Sequence, residues 1–390
     1  MLDFSREYAE IRELVLAAIT EVCDSQKFIL GPAVTRFEEA AAQACGVPHA
    51  IGCASGTDAL WLAMVSCGIG PAEAGKHDSA VVTTPFSFFA TVSSILRTGA
   101  TPILADIDPR TFNLSPESVR EVLASHAKKA APRRIDAIMP VHLYGQCADV
   151  PALKAVADVH HNVAIIEDAA QAFGATWEGT HAGALGMAAA FSFYPTKNLS
   201  AFGDAGLVTT ANRQVDEDCR MYRAHGMKVR YYHEAVGWNC RIDSIQAAVL
   251  EIKLRRVTAG NRRRQEIAAR YQQLFTAAGL AAPANSTSTA DGIVLPYVDP
   301  RGEHVFHQYV IRAPRRDALR EHLTALKIGT EIYYPLSLHQ QKALASLGYK
   351  TGDFPESERA AAEVLALPIY PEFREDEAET VVDAIRRFYQ

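Results

Sequence analysis

From about residue 50 to 210 the chain alternates short apolar, β-rich runs with stretches of helical pattern; the runs are AVVTTP, TPILADI, AIMPVHLYG, VAIIEDAA, AAAFSFY and GLVTT. Runs this short and this continuously apolar are buried on both faces, which predicts a mostly parallel sheet covered by helices, an α/β fold. Ligands of such sheets gather beyond the carboxyl ends of the strands, so the residues there matter most. Residues 241–278 have helical composition interrupted by Thr258-Ala-Gly260, which predicts two consecutive helices or one kinked helix; the arginines at 255, 256, 262, 263 and 264 read most simply as its solvated face. AAPANSTSTADG, residues 281–292, has the composition of a surface connection. YVIRA, a helical DALREHLTALKI, TEIYYP and a last helix from Glu375 then fit a small α/β lobe. Two domains are expected over the 390 residues: a large one over 1–250, with an N-terminal helical segment, and connecting helices with a smaller C-terminal one over 251–390.

Composition narrows the setting. The formal charge is −6, from 45 acidic and 39 basic residues without a long run of either sign, so no surface is marked for nucleic acid or anionic lipid. In MLDFSREYAEIRELVLAAI charges interrupt the apolar residues at helical spacing, the pattern of neither a signal peptide nor a membrane span. Seven cysteines, an odd number without CxxC or Cys/His spacing, argue against a disulfide framework or a metal site and for a reducing cytoplasm.

Four segments carry candidate chemistry. IIEDAAQAFGA places Glu167 and Asp168 at the end of an apolar strand, before small residues that let a ring or backbone approach; Asp168 reads either as a helix cap or as a carboxylate that keeps a pyridinium nitrogen protonated. AAAFSFYPTKNLSAFGDAG sets Lys197 in a turn directly after a strand. It is either an ordinary solvated lysine or a partly desolvated one, whose lowered pKa gives a neutral amine able to form an imine. IGCASGTDAL supplies Ser-Gly-Thr at a helix start, which either caps the helix or holds a phosphate on free N–H groups and the helix dipole. TTPFSFFATV adds Phe88, placed to pack in a core or to stack on a planar ring.

In order and spacing these segments, with GPAVTRFEEAAAQACGVPHA, TGATPILADID, PVHLYGQCADV, RAHGM, GWNCRIDSIQAA, TEIYYPLSLHQQ and LALPIYPEF, resemble the DegT-type sugar-nucleotide aminotransferases, which have the aspartate-aminotransferase fold (fold type I). The resemblance covers nearly the whole chain. It implies a three-layer large domain and pyridoxal 5′-phosphate as cofactor, passing through pyridoxamine 5′-phosphate during a ping-pong cycle with L-glutamate as amino donor. Lys197 would be the Schiff-base lysine and the base that moves the proton. Asp168 would pair with the pyridine nitrogen and Gln171 would bond the phenolic oxygen. Gly56, Thr57 and Ser192 would hold the phosphate and Phe88 would stack on the ring. Asn239, in GWNCR, would reach the phosphate of the neighbouring subunit, so a complete site implies a homodimer. Family members that are dehydratases carry histidine in place of the lysine, so Lys197 implies transamination.

TEIYYPLSLHQQ is similar to the loop of members that aminate a 3-keto sugar on dTDP or UDP, which implies amino-sugar biosynthesis for lipopolysaccharide or a glycosylated natural product. A 4-keto sugar or a cyclitol ketone is the alternative. Ser337 departs from the PLPLH of that loop, and Trp238 and Cys240 occupy variable places of GWNCR. Tyr334 and His339 in this loop, and Tyr232 and His233 in RYYHEAVGWN, are candidates for substrate contact, or else packed side chains; Arg241 reads as a residue bound across the dimer. His304 and His307 in EHVFHQYVIR, expected to alternate across a strand, receive no catalytic role.

Overall fold

The computed structural model describes residues 3–70, 79–128, 133–159 and 163–390. Seven strands form the central sheet: β1 (His49–Cys53), β2 (Ser79–Thr83), β3 (Thr101–Leu104), β4 (Arg134–Ile138), β5 (Ala164–Asp168), β6 (Ala188–Ser192) and β7 (Gly206–Thr210), in the order β1-β7-β6-β5-β4-β2-β3. Pairing is parallel from β3 through β6, and β7 lies antiparallel between β6 and β1. Each expected apolar run therefore holds a strand of a mostly parallel sheet.

The period of two in these strands divides the core into two layers of contact. Val81, Ala137, Ile166, Ala188, Ala190 and Val208 pack in one cluster with residues of α3 (Gly56–Ser66) and α7 (Arg213–Tyr222). Their neighbours Val82, Ile138, Ile165, Ala189, Phe191 and Leu207 pack on the other face, with α2 (Pro32–Cys45), α5 (Pro116–His126), α6 (Val150–Asp158) and α8 (Ser244–Ala277). The result is a three-layer α/β arrangement. α1 (Phe4–Ser25) lies along α8, and α4 (Phe89–Arg97) follows β2. α3 is apolar almost all round because it lies between the sheet and α4 and α7, with Ala59 to Met64 all buried.

The interruption expected at Thr258-Ala-Gly260 is corrected: α8 is one helix of 34 residues. Glycine within a helix costs only about 1 kcal/mol relative to alanine, which packing can outweigh. Here a Cβ at Gly260 would stand 3.2 Å from Pro371 Cγ, so glycine lets the helix approach that segment. The arginine cluster is not uniformly solvated either. Arg264 is buried and its Nη1 donates to the carbonyls of Phe306, His307 and Ile369.

Beyond α8, β10 (Tyr309–Arg312) pairs antiparallel with β11 (Val364–Leu367), flanked by α9 (Arg316–Ala325), α10 (Pro355–Glu363) and α11 (Glu375–Tyr389); β8 (Met227–Val229) and β9 (Tyr232–His233) form an exposed hairpin between α7 and α8. The cluster around β10 and β11 runs without a break into Phe86, Phe112 and Tyr144 at the end of the central sheet. Position 250 lies inside α8. His304 and His307 precede β10 rather than lying on a strand, although His304 does stack on Phe306, with ring centroids 4.0 Å apart. Among the described residues no helix is long and apolar enough to cross a membrane.

Candidate active site

The site forms where β1, β2, β5 and β6 end. On β5 the alternation of side chains sends Glu167 and Asp168 to opposite faces. Glu167 is buried and fully engaged: it accepts from His142 Nε2 at 2.8 Å and from the backbone N–H groups of Gly183 and Gly186. Because His142 Nδ1 accepts from Ala148 N, the ring donates to Glu167 through its Nε2–H. Asp168 Oδ2 accepts from Thr91 Oγ1 at 2.8 Å, Thr91 is bonded in turn to Ser87, and Oδ1 accepts from Ala170 N at 3.2 Å. No helix starts at Asp168, so its bond to Ala170 makes a local turn and not a helix cap. Burial raises the Asp168 pKa, and the hydrogen bonds from Thr91 and Ala170 and the nearby charge of Lys197 oppose that rise.

Lys197 lies in the segment after β6, which is closed on itself by backbone bonds from Phe193 N to Ala205 O and from Ala201 N to Phe193 O. Desolvation lowers the pKa of its amine from 10.5 to about 8, and the charge of Asp168 draws it the other way. Between those two values the amine is neutral where a solvated lysine would be an ammonium. The fold has thus placed a softened base within electrostatic reach of a buried carboxylate.

A second feature stands at the start of α3. Ser55 caps the helix, its Oγ accepting from Asp58 N, and Gly56 is the first helical residue. A Cβ at Gly56 would lie 2.5 Å from Ser192 Cβ, and one at Gly206 would lie 2.3 Å from Ser55 O. The end of β6 and the start of β7 therefore close against the helix N-terminus, where Gly56, Thr57 and Ser192 remain partly accessible beside free N–H groups. Gly56→Ala is expected to destabilise the protein by about 1–3 kcal/mol through overpacking against Ser192, measured by thermal melting; an unchanged melting temperature would show that these backbones relax freely.

Aromatic side chains line the opposite side. Phe88 is 59% exposed, with its ring centroid 6.2 Å from that of Tyr334. The Tyr334 hydroxyl accepts from Gln171 Nε2 at 3.1 Å, and Gln171 Oε1 accepts from Tyr144 N at 2.6 Å. The Tyr144 hydroxyl donates to the Tyr333 carbonyl, tying the TEIYYP loop to the end of the central sheet. Burial moves the Tyr334 phenol well above its usual range, so it stays protonated and able to donate.

The other candidates lie differently. His339 is buried, its Nε2 bonded to Glu358 Oε1 at 2.9 Å and its ring edge-on to Phe354. Tyr232 is 72% exposed on the β8–β9 hairpin, where His233 Nδ1 meets the His225 carbonyl. Asn239 is exposed, its Oδ1 accepting from Arg241 Nε at 3.0 Å. Thr91, Ser87 and Tyr144 belong to the site's hydrogen bonds but were not singled out in the sequence. Thr91 lies in the same TTPFSFFATV run as Phe88, yet only the approach of α4 to β5 reveals its hydroxyl's partner.

At the strand ends of this mostly parallel sheet stand a lysine of lowered pKa, a buried carboxylate and a glycine-opened helix N-terminus, the arrangement that the resemblance implies for a pyridoxal phosphate enzyme of fold type I. The chain belongs to the DegT/DnrJ/EryC1/StrS aminotransferase family, whose model matches residues 9–386. It is 43% identical over 390 residues to the pleiotropic regulatory protein of Geobacillus stearothermophilus, covering 100% of this chain and 98% of that one. It is 40% identical over 387 residues to the dTDP-3-amino-3,4,6-trideoxy-α-D-glucose transaminase of Streptomyces venezuelae (99% and 95% covered). It is 37% identical over 387 residues to the UDP-N-acetyl-3-dehydro-α-D-glucosamine 3-aminotransferase of Acidithiobacillus ferrooxidans (99% and 97% covered). The structure of S. venezuelae DesV in complex with ketimine intermediate superposes with a TM-score of 0.89 at 38% identity, covering 100% of this chain and 97% of that one. Pyridoxal phosphate is accordingly the cofactor of this chain, and the donor set fits it: an amine neutral above about pH 8, a buried carboxylate and an anion-receiving helix start.

Proposed function

We propose that this protein transfers an amino group from L-glutamate to a nucleotide-linked 3-keto sugar, carried on dTDP or UDP, in amino-sugar biosynthesis. The observation that carries the reading is Lys197 and Asp168 converging at the strand ends, each shifted toward its neutral form by burial. The relatives at 40% and 37% identity, a dTDP-3-amino-sugar transaminase and a UDP-3-dehydro-sugar 3-aminotransferase, support the substrate class. A purely regulatory role, as in the name of the Geobacillus relative, leaves the buried Asp168 and the desolvated Lys197 amine without a purpose.

Pyridoxal phosphate, when bound, supplies a conjugated acceptor for the electrons released at the amino-bearing carbon. Lys197 Nζ would anchor the cofactor and, once displaced from it by the incoming amine, would be the free base that moves the proton. The Asp168 carboxylate, held oriented by Thr91 and Ala170, would pair with the pyridine nitrogen and keep it protonated. Gln171, whose Nε2 donates to the Tyr334 hydroxyl, would hold the phenolic oxygen, and Tyr334 would stand toward the sugar. Gly56, Thr57 and Ser192 hold the phosphate, and Phe88 covers the ring. In this reading the protein is a cytoplasmic homodimer, Asn239 reaches the phosphate of the other copy, and Tyr232 and His233 on the exposed hairpin meet the substrate there. His339 is the weakest of the substrate candidates, because its imidazole is held by Glu358. A cofactor-binding unit over 1–250 and a smaller unit over 251–390, joined through α8, belong to the same reading.

The test is the visible spectrum of the purified protein before and after L-glutamate without sugar, followed by a dTDP- or UDP-linked 3-ketosugar. Loss of the visible band with glutamate and its return with the ketosugar are expected. Absence of bound cofactor sinks the reading; a band unmoved by glutamate rejects the donor.

A further inference from the structure

Three side chains of α8 grip the segment that carries Lys197. Gln246 Oε1 accepts from Phe202 N at 2.8 Å, Lys253 Nζ donates to Ser200 Oγ at 2.6 Å, and Asn261 Oδ1 accepts from Asn198 Nδ2 at 2.8 Å. They stand seven and eight residues apart, two helical turns each, and so share one face of the helix. The last contact is the most elaborate. Asn261 Nδ2 is committed to the Phe173 carbonyl at 3.0 Å, which fixes the direction of its amide. A Cβ at Gly174 would stand 2.6 Å from that nitrogen, so glycine at 174 leaves room for the bond. Asn198 Nδ2 donates a second time, to the Val305 carbonyl at 3.1 Å, and its Oδ1 lies 3.2 Å from His307 Nδ1. With both amide orientations set, His307 must carry its proton on Nδ1 and donate. One turn beyond Asn261, the buried Arg264 holds the Phe306 and His307 carbonyls, so the partner of Asn198 is itself fixed.

We propose that Asn261 is a positioning residue for Lys197, acting through Asn198, with His307 as the third member of the clamp. The inference rests on Lys197 being the catalytic amine. Consecutive Cα atoms are only about 3.8 Å apart, so a pinned Asn198 pins the root of the lysine side chain. That matters because lysine is a four-carbon stem with about 2 kcal/mol of rotamer freedom, and an amine that both anchors and moves a proton must start from a fixed root. His307 suits the place, since burial first and the Lys197 charge second hold it neutral, so it adds no second positive charge beside the amine.

The test compares Asn261→Leu, which removes both amide contacts, with Asn261→Asp, which keeps the acceptor for Asn198, and with Asn198→Ala on the partly exposed side of the clamp. Asn261→Leu and Asn198→Ala are expected to lower kcat by about 10- to 100-fold, the cost of a misplaced reacting group. KM for L-glutamate stays within about twofold, and Asn261→Asp restores most of kcat. The second readout needs neither cofactor nor turnover: the pH dependence of Lys197 acylation in cofactor-free protein, followed by peptide mass spectrometry. Its midpoint is expected near 8 in the natural protein and to move toward 10.5 in Asn198→Ala as the amine gains water. An unmoved midpoint in Asn198→Ala overturns the clamp whatever the turnover, as does an Asn261→Asp protein as impaired as Asn261→Leu. Should Asn261→Leu fail to fold, Asn198→Ala carries the test alone. A protein with no transaminase activity but a shifted midpoint would reject the proposed reaction and keep the clamp.

Discussion

Lys197→Ala is expected to lower turnover by about 10⁴-fold or more while the protein remains folded. General acid-base catalysis alone contributes about 10²- to 10⁴-fold, and the loss of the covalent anchor adds to that. The segment should keep its shape, because its closure depends on backbone bonds at Phe193, Ala201 and Ala205 and on the Lys197 N–H to Tyr194 carbonyl bond, none of which uses the amine. Stability has a definite sign. The folded pKa of Lys197 is about 8 against 10.5 for a solvated lysine, so between these values the unfolded state binds more protons. The desolvated amine therefore costs cofactor-free protein most stability below pH 8, and that cost disappears as pH rises to 10.5. Lys197→Ala should melt at or above the natural protein at pH 7, with the difference closing by pH 10.5. Steady-state turnover, borohydride reduction with peptide mapping, and melting curves of cofactor-free protein at both pH values check this. Retention of a tenth of the turnover, or reduction of the cofactor onto a different lysine, would remove Lys197 from its assigned place.

Asp168→Asn carries the second large effect, about 10²-fold or more in the glutamate half-reaction. Removing one preorganised electrostatic partner of a reacting group costs about 10²- to 10³-fold in rate. Asparagine preserves the shape and can still accept from Ala170 or Thr91, and the Thr91 hydroxyl can turn to Ser87, so folding should change by only about 1 kcal/mol. The substitution also acts on Lys197. The negative charge of Asp168 supports protonation of that amine, so its removal should bring the Lys197 acylation midpoint below 8. Stopped-flow absorbance of the half-reaction and the acylation profile provide the two measurements. Full activity would mean that Asp168 does no more than close the local turn with Ala170.

The chemistry was legible where it was local. Asp168 ends one run that reads as a buried strand and Lys197 lies five residues beyond another, and strand ends are where such sheets bind ligands. Ser-Gly-Thr before an apolar helix was readable as a helix start because capping is a property of a few adjacent residues. α8 shows the limit. Thr258 and Gly260 suggest a break by propensity, but propensity amounts to about 1 kcal/mol, and packing along the whole helix overrides it. The same helix carries Arg255 at the surface and Arg264 in the interior, in one basic-looking run. Their difference depends on which carbonyls face them from residues 306, 307 and 369, more than a hundred positions away for the last of these.

The sequence by itself determined the alternation of strands and helices, the positions of the strand ends and the candidate lysine, carboxylate and helix N-terminus, because burial period, turn chemistry and capping act within a few residues. Only the tertiary structure decided that Asp168 meets Thr91 across 77 positions, that Gln171 is shared by Tyr144 and Tyr334, that His339 turns to Glu358, and that Asn198 is locked by Asn261 and His307. Those partnerships arise where separate elements converge, and a buried polar group takes whichever partner the packing delivers, since leaving it unpaired costs about 1–3 kcal/mol wherever the partner lies in the chain.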